Sequence, residues 1–235
     1  MTAPQPLPYG TAEAPRIAVR GEARLEVDPE IARIGITVTA RGTDRRKALD
    51  DLTRRNNHVL DLIKSYGDAI ENTETSALTI TPQLNDKGRS ERIRSYRGHL
   101  HITATVTDFT ALGELTTRLA DLDLTRIDGP WWALRPDSPA HREARRQAVQ
   151  EAVQRAREYA DALGAHLTAV LEIADTGAEN PAPYGPVPPG ARPTPRYGGL
   201  AGGAPAPTPA LDLEPQRQTV RAHVNARFTM SRPVL

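Results

Sequence analysis

The 235-residue chain has no cysteine, which removes disulfides, thiolate nucleophiles, iron–sulfur clusters and Cys-ligated zinc from consideration. Aromatic residues make up only 4% of it, with two Trp and two Phe, so a core has to be assembled from Val, Ile, Leu and Ala. No run approaches the roughly 20 apolar residues that a membrane helix needs. Residues 1–15 lack the basic-then-apolar order of a secretory signal. On these grounds the chain is expected to be cytoplasmic, with no membrane span. Charge of one sign is missing too: 30 basic residues against 29 acidic leave a net charge of +1, so no bulk field draws a polyanion, and nucleic acid is not expected as a partner. Catalytic signatures are equally sparse. A Walker-type phosphate loop, a nucleophile-elbow serine and a His-Glu-x-x-His helix are all missing. Histidines and carboxylates can still meet in three dimensions, which keeps a hydrolase or metal enzyme as a third alternative, but a non-enzymatic protein without a cofactor is expected.

Proline and glycine, by contrast, are abundant, at 21 and 17 residues. Four of the prolines fall in residues 1–15, which read as a disordered lead-in. From Arg16 onward the chain is patterned. Ile17, Val19, Gly21, Ala23, Leu25 and Val27 alternate with polar residues, then Asp28-Pro29-Glu30 turns the chain and Ile34, Ile36, Val38 and Ala40 alternate again. A period of two means strands buried on one side, and the short turn predicts that these two runs form an antiparallel hairpin. Next, Leu49, Leu52, Asn56, Val59, Leu60, Ile63 and Tyr66 recur three or four apart, as on one face of a helix capped by Thr43 and stopped by Gly67. A second hairpin is expected with Leu78, Ile80, Pro82 and Leu84 inward, a turn over residues 85–88, and Tyr96 to Val106 returning. A helix begins at Asp108, a strand carries Trp131-Trp132, and Ser138-Pro139 opens the longest helix, with Ala144, Ala148, Ala152, Ala156, Tyr159 and Leu163 as its stripe. Leu167 to Ile173 reads as a further strand.

Residues 177–215 hold 11 of the 21 prolines and 7 of the 17 glycines. Such a segment buries too little to offset its chain entropy, so a mobile loop is expected. Val220, Ala222, Val224, Ala226, Phe228 and Met230 then resume the alternation. The expected fold is therefore α+β: a largely antiparallel sheet with helices packed on one face, in one domain over residues 16–232 that the loop interrupts.

If the apolar sides lie under the helices, the period alone assigns the opposite face. Arg16, Arg20, Arg24, Arg97, His99, His101, Arg221, His223 and Arg227 fall on it, diluted by Glu22 and Glu26. Three readings stand side by side: a solvated face whose charges pair across strands, a surface for an anionic ligand, and a contact with another subunit. His99 and His101 share a side of their strand and fit a metal with a third ligand such as His223, but that spacing is permissive and no metal is expected. Trp131 and Trp132, being adjacent in a strand, point to opposite faces. One enters the core, and the other is a candidate contact in a homo-oligomer. The Pro-rich loop offers extended segments to a protein partner.

The order of these elements and several phrases resemble the SIMPL-domain family: Ile17 to Ile34, Ala48-Leu49, Thr75 to Pro82 followed by Tyr96-Arg-Gly-His-Leu, and Ala144 to Ala152 with Ala156, Ala160 and Gly164. Two positions depart from the family pattern. Ala23 stands where a second glycine is usual, and Pro215-Gln216-Arg217 replaces Pro-Gly-Glu before the last strand. The resemblance implies an α+β protein of unknown biochemical role with no recognised catalytic residues, linked in some members to oxidative stress and in one branch to large ring or channel-like assemblies. Many relatives carry an export signal, and none was identified at the start of this chain. The expectation that emerges is a self-associating scaffold or stress-related binding protein. The alternative is a module that takes an anionic ligand through Arg20, Arg24, Arg97, Arg221 and Arg227.

Overall fold

In the computed structural model, residues 10–84, 93–175, 178 and 211–234 are described. Seven strands and three longer helices follow in the order β1 (Arg16–Val27), β2 (Ile31–Gly42), α1 (Arg45–Lys64), β3 (Ile70–Leu84), β4 (Ile93–Val106), α2 (Phe109–Ala120), β5 (Thr125–Ala133), α3 (Pro139–Ala162), β6 (Leu167–Asp175) and β7 (Gln218–Met230). The fold class is α+β, as the periodicity indicates. The strands are distributed over two antiparallel sheets, β1-β7-β6 and β3-β4-β2-β5. Two compact units contain them: of the described residues, 10–27, 137–175, 178 and 219–234 fall in one, and 28–84, 93–136 and 211–218 in the other.

The expected β1–β2 hairpin is therefore not formed. β1 lies beside β7, whose Met230 amide donates to the Pro15 carbonyl at 3.0 Å, while β2 lies between β4 and β5. Alternation reports which side of a strand is buried, not which strand is its neighbour. The strand pairing of the second hairpin is present, β3 running antiparallel to β4 in a register with three irregularities, while its expected turn at residues 85–88 lies outside the described residues. Because β3 is an edge strand, its Leu78 and Leu84 are exposed instead of inward.

In the four-stranded unit, Ile34, Ile36 and Val38 of β2 and Ile102 and Ala104 of β4 meet Leu52, Val59 and Ile63 of α1 and Leu112, Leu115 and Leu119 of α2. Each fully buried aliphatic side chain of this kind contributes about 1.5–3 kcal/mol. Asp44, one residue beyond the expected Thr43, caps α1 by accepting from the Lys47 amide at 2.9 Å. Asp108 caps α2 through the Thr110 and Ala111 amides. Leu49 of the predicted helix face is 40% exposed, and Ala48 takes the buried position.

In the three-stranded unit, α3 starts at Ser138 with Pro139 in its first turn. Ala148, Ala152 and Ala156 pack on Val224, Ala226 and Phe228 of β7. Alanine is small enough for the helix backbone to lie almost on the sheet, where Gly21 of β1 receives it. Tyr159, placed in the stripe by its spacing, is 57% exposed, and Ala160 is buried in its stead. Gly164, at φ +64°, ends the helix, and the Ala165 amide reaches back to the Ala160 carbonyl at 2.9 Å.

Of the expected loop, residues 177 and 179–210 lie outside the described residues, as do residues 1–9 of the expected lead-in. Residues 211–215 are placed within the four-stranded unit. Leu213 packs against its core, the Leu211 amide donates to Thr117 Oγ1 at 3.2 Å, and the Leu211 carbonyl rests where a Cβ on Gly113 would stand.

Candidate functional site

The single basic face expected from the period is divided between the two sheets. Arg20, Arg24, Arg221, His223 and Arg227 belong to β1 and β7, whereas Arg97, His99 and His101 belong to β4. Each face follows from its own register.

On the three-stranded sheet most of the charge is balanced locally. Arg20 meets Glu22 at 3.0 Å and Arg24 meets Glu26 at 2.8 Å. Arg227 pairs with Glu172 of β6, its neighbour across the strands. His223 Nδ1 lies 3.7 Å from a Glu22 carboxylate oxygen, and Arg221 is exposed beside them. This is the arrangement of a solvated face with paired charges.

The face of the four-stranded sheet that points away from α1 and α2 is different in kind. The β2–β4 register sets Thr37 opposite His101, Thr39 opposite His99 and Arg41 opposite Arg97. Thr37 Oγ1 and His101 Nδ1 are 3.2 Å apart, a hydrogen bond that fixes the imidazole. Arg41 and Arg97 face each other with no ion pair among the described residues, and Arg97 Nε is buried without a hydrogen-bond partner among them. Like charges directly opposite destabilise a strand pair, so this juxtaposition has a cost in the free protein. Arg41 is not among the basic residues expected on this face, although it continues the Gly35, Thr37, Thr39 alternation.

Trp131 stands at the other end of this face. The β2–β5 register slips between Arg33 and Gly35, so that Asp128 pairs with Gly35 and Trp131 with Arg33. The extra residue of this bulge turns Trp131 outward, 54% exposed. Trp132 turns inward, edge-on to Phe109 with ring centroids 4.8 Å apart. The His101 and Trp131 rings converge over Gly35, where a Cβ would lie 2.9 Å from His101 Cε1 and 3.4 Å from the indole. On the same face Arg126 is held by Asp128 at 2.6 Å.

Of the trio His99, His101 and His223, the first two belong to β4 of one unit and the third to β7 of the other. Among the described residues no three His, Asp or Glu side chains cluster as metal ligands would. The Pro-rich segment expected to meet a protein partner lies mostly outside the described residues. Among the described residues no helix is long and apolar enough to cross a membrane.

Comparison with known proteins gives two kinds of match. The 26 kDa periplasmic immunogenic protein of Brucella melitensis biotype 1 is 27% identical over 172 residues, covering 70% of this chain and 68% of the relative. The protein of the same name from Brucella abortus strain S19 matches to the same extent. Both are named as periplasmic, which overturns the cytoplasmic expectation: the apparent absence of a leader in residues 1–15 was the wrong ground for assigning a compartment. The family model for SIMPL, described as a protein of unknown function (DUF541), matches residues 17–228, from the first strand to the last. The chain belongs to the SIMPL family.

Proposed function

We propose that this protein is a non-enzymatic binding protein of an extracytoplasmic compartment, and that it takes an anionic ligand on the outer face of its four-stranded sheet. The compartment is drawn from the periplasmic names of the Brucella relatives. The observation that carries the reading is the Arg41–Arg97 pair, two guanidinium groups opposite one another without a carboxylate among the described residues. A ligand anion between them would relieve their repulsion and supply acceptors for their donors. His99 and His101 add donors along the same strand. The face is open, which suits association better than the enclosure of a reacting group. The test is a titration with polyglutamate at increasing salt. Binding that falls steeply between low and moderate ionic strength and is lost in Arg41→Gln supports the reading. Salt-insensitive or absent binding of every polyanion refutes it.

A second reading, self-association as a scaffold, is favoured by a separate observation. Val170, Leu171 and Ile173 of the edge strand β6 are each about half exposed. An edge strand with apolar side chains on both faces is a template for another chain. A stress-related role of the kind the family resemblance implies would then rest on assembly. Light scattering decides it: a solution mass above that of one chain, reduced to one chain in Leu171→Lys, supports assembly through β6.

A further inference from the structure

The outer face of the four-stranded sheet is a strip with different chemistry at its two ends, and this difference narrows the class of anion. From Arg41 to Arg33 along β2 is eight residues, about 27 Å at the usual strand rise. At one end stand Arg41 and Arg97. At the other stand Arg33, which also forms no ion pair among the described residues, and Trp131, its cross-strand neighbour. Between them Thr37 and Thr39 lie opposite His101 and His99 on β4, and on the β5 side the one carboxylate beside β2, Asp128, is taken up by Arg126 at 2.6 Å. Cations at both ends match a ligand that is long and carries repeated negative charge, not a single small anion. Hydroxyl and imidazole groups in the middle exchange hydrogen bonds with a ligand rich in hydroxyls.

Trp131 adds the deciding feature. Its indole is propped beside His101 over the bare backbone of Gly35, and much of the ring is open to solvent. A rigid aromatic face amid polar groups receives a flat ligand surface that is apolar on one side and polar at its rim. A pyranose ring has that character, with C–H bonds on its face and hydroxyls around it. Single-stranded nucleic acid shares the charge and the flat rings, but proteins that hold it stack successive bases on several aromatic side chains. Among the described residues this face presents one.

We propose that the strip binds an acidic polysaccharide, lying along β2 and β4 with carboxylates or sulfates at the arginine ends and one sugar ring on Trp131. The inference rests on the anionic-ligand reading above and adds the sugar.

The test uses the full chain and four probes: polygalacturonate, polyglutamate, neutral dextran and oligo-dT, followed by tryptophan fluorescence and calorimetry. Polygalacturonate should bind most tightly and perturb the emission of Trp131. Trp131→Ala should weaken it about tenfold, the scale of one aromatic stacking contact, while Trp131→Phe retains most of the affinity. Arg41→Gln should weaken binding and flatten its salt dependence; Arg41 is exposed, so this variant tests charge without disturbing the core. Equal affinity for polyglutamate and polygalacturonate, with no effect of Trp131→Ala, overturns the sugar while leaving the anionic face standing. Tighter binding of oligo-dT overturns it in favour of nucleic acid. Failure of all three polyanions removes both the inference and the reading beneath it.

Discussion

Gly21 and Ala148 are in backbone contact across β1 and α3: a Cβ on the glycine would stand 2.0 Å from the Ala148 carbonyl oxygen and 2.7 Å from Ala152 Cβ. Neither neighbour is the end of a flexible side chain, so the helix itself has to move. Gly21→Ala is expected to cost about 1–3 kcal/mol, the range for overpacking a tight contact, measured by chemical denaturation. Gly35→Ala is the matched comparison. There the nearest atom belongs to the His101 ring, a side chain that can give way at the cost of its hydrogen bond to Thr37, without moving a whole helix, and the loss should be smaller. Equal losses would show that the close approach of α3 is not what Gly21 provides.

The adjacent tryptophans should separate stability from binding. Trp132→Ala removes a ring packed in the core against Phe109 and should cost about 3–5 kcal/mol. Trp131→Ala removes an exposed ring and should cost about 1 kcal/mol or less. Thermal melts of the two variants check this directly. If both unfold the protein alike, Trp131 is structural and its role in ligand binding fails.

Residues 211–213 are held on α2 by two features that can be removed independently. Gly113→Ala places a methyl group where the Leu211 carbonyl lies, and Thr117→Val removes the acceptor of the Leu211 amide. In both variants the Leu211 amide should exchange with solvent faster than in the parent protein. Gly113→Ala should also lose about 1–3 kcal/mol as Leu213 is displaced from the core. Unchanged exchange at Leu211 in both would mean that this segment does not rest on α2 in solution.

Glu143 gives a pH dependence with a definite sign. Hydrogen bonds from Arg146, then from Gln147, hold its carboxyl down from 4.5 to about 2. A carboxylate depressed on folding contributes stability that is present above its ordinary pKa and is lost as pH falls through the folded value. Glu143→Gln should therefore lower Tm slightly at pH 7, and the gap from the parent protein should close between about pH 4.5 and pH 2. The ion pair with Arg146 is open to solvent, so the effect is small and should shrink further in high salt. A gap that widens on acidification would refute the assignment.

Much of this architecture is legible in the residue order. The buried sides of β1 and β7 and the alanine stripe of α3 follow from a period of two and a spacing of four, because both patterns are set by local geometry. Leu49 and Tyr159 were placed inward because a spacing of three or four fits them as well as it fits Ala48 and Ala160. Only the width of the seam against the sheet chooses between them. Leu78 and Leu84 were placed inward because alternation does not distinguish an edge strand from a central one. The candidate site was the least legible part. Its arginines and histidines are visible in β4, but the Arg41–Arg97 pairing needs the register, and the outward turn of Trp131 needs a bulge that alternation does not contain.

The division of the strands has a consequence for biosynthesis. Residues 28–136 supply every strand and helix of the four-stranded unit in one uninterrupted stretch, so that sheet has all its members while α3 is still being translated. β1 is made first, yet its partner β7 is made last. The opening strand therefore leaves the ribosome without its hydrogen-bonding partner, and until β7 is made only α3 is there to cover Ile17 and Val19. Since polypeptides grow from the N-terminus at about 5–20 residues per second, the stretch between Val27 and Gln218 keeps β1 without that partner for roughly 10–40 s.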